Sequence, residues 1–223
     1  MARYMINYDL IQTALPHLIH GAFVSLEIAG LALTIGLIGG VVLGILQTNN
    51  SKPVQVLVSI FTTIIRGTPM LIQIVFLYYV VSLLGVNFSP LWSAILAIGI
   101  NSSAYISQII RSGIQAVPHG QIEAAQTLGI SKVDTLRYVI LPEALRVVLP
   151  ALGNESITLI KDSSLASLIG VVELYKEGQT IISQTYDALS IYSATAALYL
   201  IMTTTLSYII NRLEKYVNRH AAH

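Results

Sequence analysis

Long apolar runs separated by short polar breaks organise this chain. Ile28 to Ser51 carries no charge over 24 residues, and its apolar part ends near Leu46. That is close to the roughly 20 residues that cross a bilayer as a helix, and it places a first span at about 22–46. Val54 to Leu84 is apolar except for Arg66, which Gly67, Thr68 and Pro69 follow directly. A second span, about 54–83, is predicted to kink there, because proline lacks an N–H and disfavours helical geometry in the residue before it. Gly85 to Pro90 reads as a turn, and Leu91 to Ile110 gives a third span at about 91–112. Val147 to Val172 gives a fourth at about 147–170, unusual in carrying Glu155, Lys161 and Asp162. Ala188 to Asn211, uncharged for 24 residues, gives a fifth at 188–211 before a short polar tail.

Composition agrees with this pattern. With 54% hydrophobic residues, 10% charged residues and a mean hydropathy of +0.72, the chain lies outside the range of an ordinary soluble domain. A net charge of +1, from 12 Lys+Arg and 11 Asp+Glu, offers no basic surface for nucleic acid. Cysteine is absent, which excludes disulfides and thiolate metal sites. The first residues lack a small-residue cleavage site before an apolar run, so no removable signal peptide is expected. Basic residues outside the spans set the orientation, since positive loops stay on the cytoplasmic side. Lys52, Arg111, Lys132, Arg137, Arg146, Arg212, Lys215 and Arg219 fall on one side, and only Arg3 and Lys176 on the other. The N-terminus and the loops near Asn87 and Glu173 are therefore expected outside. Residues 112–146 and the C-terminal tail are expected in the cytoplasm.

The cytoplasmic stretch Gln121 to Ala144 is polar and helix-forming. Ile122, Ala125 and Leu128 recur at helical spacing, and Gly129 follows where a left-handed cap would stop a helix. Ser131 with Asp134 three residues on resembles a capping pair that starts a second helix, which Leu141-Pro142 is expected to end. Such a hairpin either lies on the membrane surface or docks in a groove on a cytoplasmic partner.

Resemblance separates these readings. Glu123-Ala124-Ala125, three residues, Gly129, nine residues, then Val139-Ile140-Leu141-Pro142 resembles the EAA loop of the membrane subunits of bacterial ABC importers, with Val139 where Ile is usual. Arg66-Gly67-Thr68-Pro69, Asn101-Ser102-Ser103-Ala104-Tyr105, Leu149-Pro150-Ala151-Leu152-Gly153-Asn154-Glu155 and Leu159 to Ala166 are similar to motifs of the polar amino-acid permeases. That family imports histidine, arginine, glutamine, glutamate, cystine and opines, and the resemblance runs from about residue 15 to 215. It implies an all-α membrane protein of the type I importer fold, with five transmembrane helices in a single permease domain, 1–223, and a coupling loop at about 119–144. Two permease subunits would stand side by side, with a homodimer expected ahead of a heterodimer. Through Glu123, Ala124, Ala125 and Gly129 the EAA helices would sit in clefts on two ABC ATPase subunits, which bind ATP and Mg. The chain contains no G-x-x-x-x-G-K-[ST] loop of its own, so no enzyme activity and no cofactor are expected in it. An extracytoplasmic amino-acid-binding protein would deliver substrate, and the location implied is the bacterial cytoplasmic (inner) membrane.

Span four holds the remaining chemistry. Charges at mid-membrane cost roughly 2.5–3.5 kcal/mol each on insertion scales, so Glu155, Lys161 and Asp162 must face protein, water or ligand. Glu155, Thr158 and Asp162 share one helix face, with Asn154 and Lys161 on the adjoining one. They form either a structural salt-bridge network, with Asp162-Ser163-Ser164 a wet helix end, or a site for an amino-acid zwitterion. In the second case Lys161 takes the carboxylate and Glu155 or Asp162 the ammonium. Asp162 and Ser163 would also cap a half-helix whose positive end helps hold the carboxylate. Asn101 and Ser102 add neutral hydrogen bonds, either to substrate or between helices. Arg66 either bonds carbonyls freed by the kink, the reading we favour, or faces the path. Gly36, Gly40 and Gly44 are expected to let helices pack closely. Glu27 is either solvated or paired. The scattered histidines, His17, His20, His119, His220 and His223, give no metal site. A secondary transporter would be expected to show an inverted repeat, and an intramembrane hydrolase a nucleophile with its base; neither is evident.

Overall fold

The structure, a computed structural model, describes residues 5–48 and 51–220, the last three by backbone alone. Arg3 of the charge count and His223 lie outside the described residues. Helix accounts for 88% of the fold, and no strand is present among the described residues.

Helix α1, Tyr8–Gln47, starts well before the expected first span. Asn7 caps it by accepting from the Leu10 N–H, and Ala14, Leu18 and Ala22 bury themselves against Leu174 and Ile191. This packed extension is why the helix begins early even though its sequence is too polar to read as span. Glycines then bring α1 against α4, Pro90–Gln115. A Cβ at Gly36 would lie 2.7 Å from Ser102 Oγ, one at Gly40 2.5 Å from Ile106 Cγ2, and one at Gly44 2.8 Å from Ile110 Cβ. The expected close packing is what these three positions provide. Ile28, Ala32, Ile98, Leu159 and Ala166 form the central core nearby.

The predicted kink in the second run is a full break. Helices α2, Lys52–Gly67, and α3, Met70–Leu83, meet at 102°. Thr68 is extended at φ −112 and ψ 143, as the residue before a proline prefers. Gln73 closes the break: its Nε2 reaches Ile65 O at 2.7 Å, Thr68 Oγ1 at 2.7 Å and Thr68 O at 3.2 Å. The carbonyl-bonding role expected of Arg66 belongs to Gln73.

The hairpin begins with α5, His119–Thr127, which ends at Gly129 in the left-handed region with φ +74. The Ile130 N–H donates back to Ala125 O at 3.1 Å, completing the cap. Ser131 accepts from the Asp134 N–H at 3.1 Å and starts α6. Contrary to expectation, Leu141-Pro142 does not end this helix. A π turn over Leu136–Ile140 carries Lys132–Thr135 into Leu141–Asp162 as one element, 132–162. In that turn the Leu141 N–H donates to Leu136 O, and the wider ring accommodates Pro142, which has no N–H to give. The hairpin's second helix and the charged segment are therefore continuous in the chain's helical path.

Leu141–Asp162 runs directly into a 3₁₀ turn, Ser163–Ile169, ended by Gly170 at φ +88. No half-helix starts at Asp162: its backbone is helical, it makes no capping bond, and Ser163 Oγ donates back to Ile160 O at 2.7 Å. Helices α7, Leu174–Thr185, and α8, Ala188–His220, complete the fold. By length and apolarity three helices among the described residues can cross a membrane, Tyr8–Gln47, Pro90–Gln115 and Ala188–Val217, and the bent pair α2–α3 makes a fourth. Leu141–Asp162 does not qualify on those grounds, because each 18-residue stretch of it holds at least three charged residues.

Candidate functional site

Where α2 breaks, a cavity of about 550 Å³ opens between three elements. Arg66, Thr68 and Pro69 line it from the break, Asn101 and Tyr105 from α4, and Glu155, Thr158 and Asp162 from α6. Ser102 stands behind this wall, fully buried, and donates to Glu155 Oε1 at 2.8 Å. Asn101 Nδ2 donates to Gln73 Oε1 at 3.0 Å, so the glutamine that closes the break also orients a cavity residue. The Arg66 guanidinium lies over the Tyr105 ring, 5.1 Å from its centroid.

Helices α4 and α6 run antiparallel here. Ser102 meets Glu155 at one level, while a Cβ at Gly113 would run into the Val148 side chain, with Ala144 O at 3.2 Å. Tyr105, three residues past Ser102, therefore lies on one side of Glu155, and Asp162, seven residues past Glu155, lies on the other.

The ion pairs among the described residues lie elsewhere, at His20–Glu177 (3.8 Å) and Arg146–Glu143 (3.3 Å). Arg66, Glu155, Lys161 and Asp162 form none, so the salt-bridge network considered for span four is not built. Of the sequence candidates, Asn101, Ser102, Glu155 and Asp162 come together, with Ser102 acting through Glu155. Asn154 and Lys161 are exposed and are not part of the cavity wall. Arg66 is the cation that faces it. Tyr105 was legible as one helical turn from Asn101, and Arg66 as the charge that ends α2.

At the hairpin, a second hollow of about 560 Å³ is lined by Ala124, Ala125 and Leu128 on one side and Tyr138, Pro142 and Arg146 on the other. Glu123, Ala124 and Gly129 are exposed and Ala125 is buried. Leu128 and Val133 leave 78% and 73% of their surface uncovered, an apolar tip that a partner would shield. No group of three or more His, Asp or Glu side chains fit to hold a metal occurs among the described residues.

One buried carboxylate escaped the sequence reading. Glu173 is fully buried at the start of α7, and its Oε2 accepts from Tyr175 N (2.9 Å), Tyr199 OH (2.9 Å) and Ser25 Oγ (3.2 Å). Its Oε1 accepts from Lys176 N at 2.9 Å. Burial pushes this carboxyl above the ordinary carboxylate range, against the opposing pull of those four hydrogen bonds. It ties α1, α7 and α8 together. Glu27 is exposed.

Residues 36–223 match the family of binding-protein-dependent transport system inner membrane components. The glutamine transport system permease protein GlnP of Escherichia coli strain K12 is 42% identical over 211 residues, 94% of this chain and 96% of its own. The L-cystine transport system permease protein TcyB of Bacillus subtilis strain 168 is 36% identical over 219 residues, 97% of this chain and 94% of its own. A crystal structure of an amino acid ABC transporter with histidines superposes at a TM-score of 0.89 with 37% identity, covering 95% of this chain and 99% of the other. The methionine ABC transporter MetNI, in an inward-facing form, shares the fold at a TM-score of 0.76 and 21% identity. With the type I importer fold and these matches, the chain belongs to the binding-protein-dependent transport system inner membrane components, the permease subunits of ABC importers.

Proposed function

We propose that this permease carries a polar L-amino acid through the cavity at the broken helix. One observation carries the reading: a cation, Arg66, and two carboxylates, Glu155 and Asp162, line one space without pairing with each other. Arg66 is exposed and Glu155 and Asp162 are half-buried; carboxylates left uncompensated away from water are costly, and a zwitterion supplies an ammonium for one of them and a carboxylate for Arg66. A sugar supplies neither. Glutamine and cystine, for which GlnP and TcyB are named, are both zwitterions of this kind.

In this reading the chain forms one permease domain with five spans. Helix α6 crosses as the fifth because Glu155 and Asp162 face the cavity and not lipid. The N-terminus lies outside and the C-terminus in the cytoplasm of a bacterial inner membrane. Two copies pair, and an outer amino-acid-binding protein delivers substrate. Each hairpin, through Glu123, Ala124, Ala125 and Gly129, seats in one of two ATPases that take ATP and Mg. Because the hairpin's second helix continues through the π turn into the Glu155 segment, ATPase closure at Ser131 would be passed along one helical path to the cavity wall at Asp162. Asn154 and Lys161 then serve outside the first contact with substrate, at a path opening or a partner surface.

The test is uptake by proteoliposomes containing this chain, its ATPase and its binding protein. Uptake that requires ATP on the ATPase side, and persists when ion gradients are collapsed, supports the reading. Uptake driven by an ion gradient alone refutes it.

A further inference from the structure

Two stretches of the 132–162 element are held firmly, and the stretch between them is not. On the hairpin side the caps do the holding: Ile130 N–H donates to Ala125 O at 3.1 Å, Ser131 accepts from the Asp134 N–H, and Thr135 is buried. On the membrane side Ala144 and Val148 are buried, and Val148 fills the place where a Cβ on Gly113 of α4 would stand. Gly153 meets Ile210 of α8 in the same way. Between these two clamps none of residues 136–143 is buried.

The backbone ladder is interrupted in the same place. Leu141 N–H reaches five residues back to Leu136 O, so the π turn Leu136–Ile140 carries one residue more than an α-helix along that path would. Pro142 follows directly and donates nothing. In an unbroken α-helix its ring would press on the carbonyl of Tyr138, four residues back, at a cost of about 3 kcal/mol. Helices bend sharply where a proline or a π turn interrupts the ladder, and here both do. Bending also has room. The hollow of about 560 Å³ separates Ala124, Ala125 and Leu128 of α5 from Tyr138, Val139 and Pro142 of this stretch.

A hairpin seated in an ATPase and a segment clamped to α4 and α8 can both keep their contacts through a rocking motion only if the path between them changes angle. We infer that the π turn Leu136–Ile140, opened by Pro142, is a hinge about which α6 tilts against the hairpin. The hairpin then keeps its seat on the ATPase while the wall that carries Glu155 and Asp162 turns. This rests on the reading of the hairpin as the ATPase-coupling element and goes beyond it in naming where the coupling path bends. Lys132–Thr135 moves with α5, and the helix from Ala144 onward moves with α4 and α8.

Deleting Val139 together with Pro142→Ala removes the extra residue and the missing donor at once, which leaves a continuous α-helix with both ends in their present register. The complete complex, with its ATPase and binding protein in proteoliposomes, is the material for the test. The straightened variant is expected to co-purify with the ATPase and keep its thermal midpoint. Its unstimulated ATP hydrolysis should stay within about twofold, while uptake per ATP hydrolysed falls at least about tenfold. Adding Ile140→Gly restores flexibility without the π turn and should recover uptake at least about threefold. Uptake per ATP unchanged in the straightened variant overturns the hinge and leaves the coupling hairpin standing. Uptake that stays low after Ile140→Gly does the same, as does loss of the ATPase from the straightened variant, because the extra residue then sets register and not a bend. If uptake by the unmodified complex needs no ATP, the coupling reading falls and this inference with it.

Discussion

The Ser102 hydroxyl donates a 2.8 Å hydrogen bond to Glu155 Oε1, joining α4 to α6 at the wall of the cavity. The same hydroxyl touches the glycine stripe of α1, where a Cβ at Gly36 would come within 2.7 Å of the oxygen and 2.9 Å of Ser102 Cβ. Gly36→Ala should therefore destabilise the fold by about 1–3 kcal/mol through overpacking and reduce uptake by displacing Ser102. Adding Ser102→Gly relieves the clash and should restore the thermal midpoint in detergent without restoring uptake. Recovery of both would show that the Ser102–Glu155 bond has no part in transport.

Gly129 ends α5 at φ +74 with open space around it, so a substitution there is strained by backbone conformation and not by crowding. Asparagine, which tolerates this region, should cost less than valine, which does not, with a spread of about 1–2 kcal/mol. Substrate-stimulated ATP hydrolysis should fall in the order Gly, Asn, Val at position 129, while unstimulated hydrolysis by the ATPase changes little. Equal stimulation in all three would remove the hairpin bend from the coupling path.

Glu173 makes stability depend on pH. Its carboxyl is raised in the folded state, chiefly by burial, so the protonated form is favoured there. This group's contribution is complete below the ordinary carboxylate value and is lost as pH rises through the raised one. The thermal midpoint should fall across that window, and Glu173→Gln should flatten the fall. Glu173→Ala should lower stability at every pH by about 1–3 kcal/mol, since buried donors from Ser25 and Tyr199 lose their acceptor. A midpoint with the same pH dependence in Glu173→Gln and the unmodified chain would assign the titration elsewhere.

The orientation can be read by labelling, because the chain has no cysteine. A single cysteine replacing Gln126, which is exposed on α5, should react with a membrane-impermeant maleimide only after the cytoplasmic face is opened. Reaction from the outside would invert the topology.

Much of this architecture was legible because apolar runs, prolines and glycines act locally. Pro69 broke its helix, Gly129 capped α5 and the Gly36–Gly44 stripe packed, each for the reason its residue type suggests. Pro142 misled because a π turn, which depends on how the following helix is held, absorbs a missing donor that would otherwise end a helix. The site was half legible. Glu155 and Asp162 share a face by helical period alone, whereas whether Arg66 or Lys161 answers them depends on where the break in another helix points. Periodicity along α6 carries no information about that. Glu173 was invisible for a similar reason: its partners Ser25 and Tyr199 are 148 and 26 residues away.

ATP-driven uptake of a radiolabelled polar L-amino acid, L-glutamine first, by Glu155→Gln in proteoliposomes, with the ATPase and binding protein of the unmodified complex, tests the transport site most directly. If the cavity holds the substrate's ammonium on Glu155, uptake should fall at least about tenfold, the loss of one charge-assisted contact. Uptake equal to that of the unmodified complex would place the path away from this cavity.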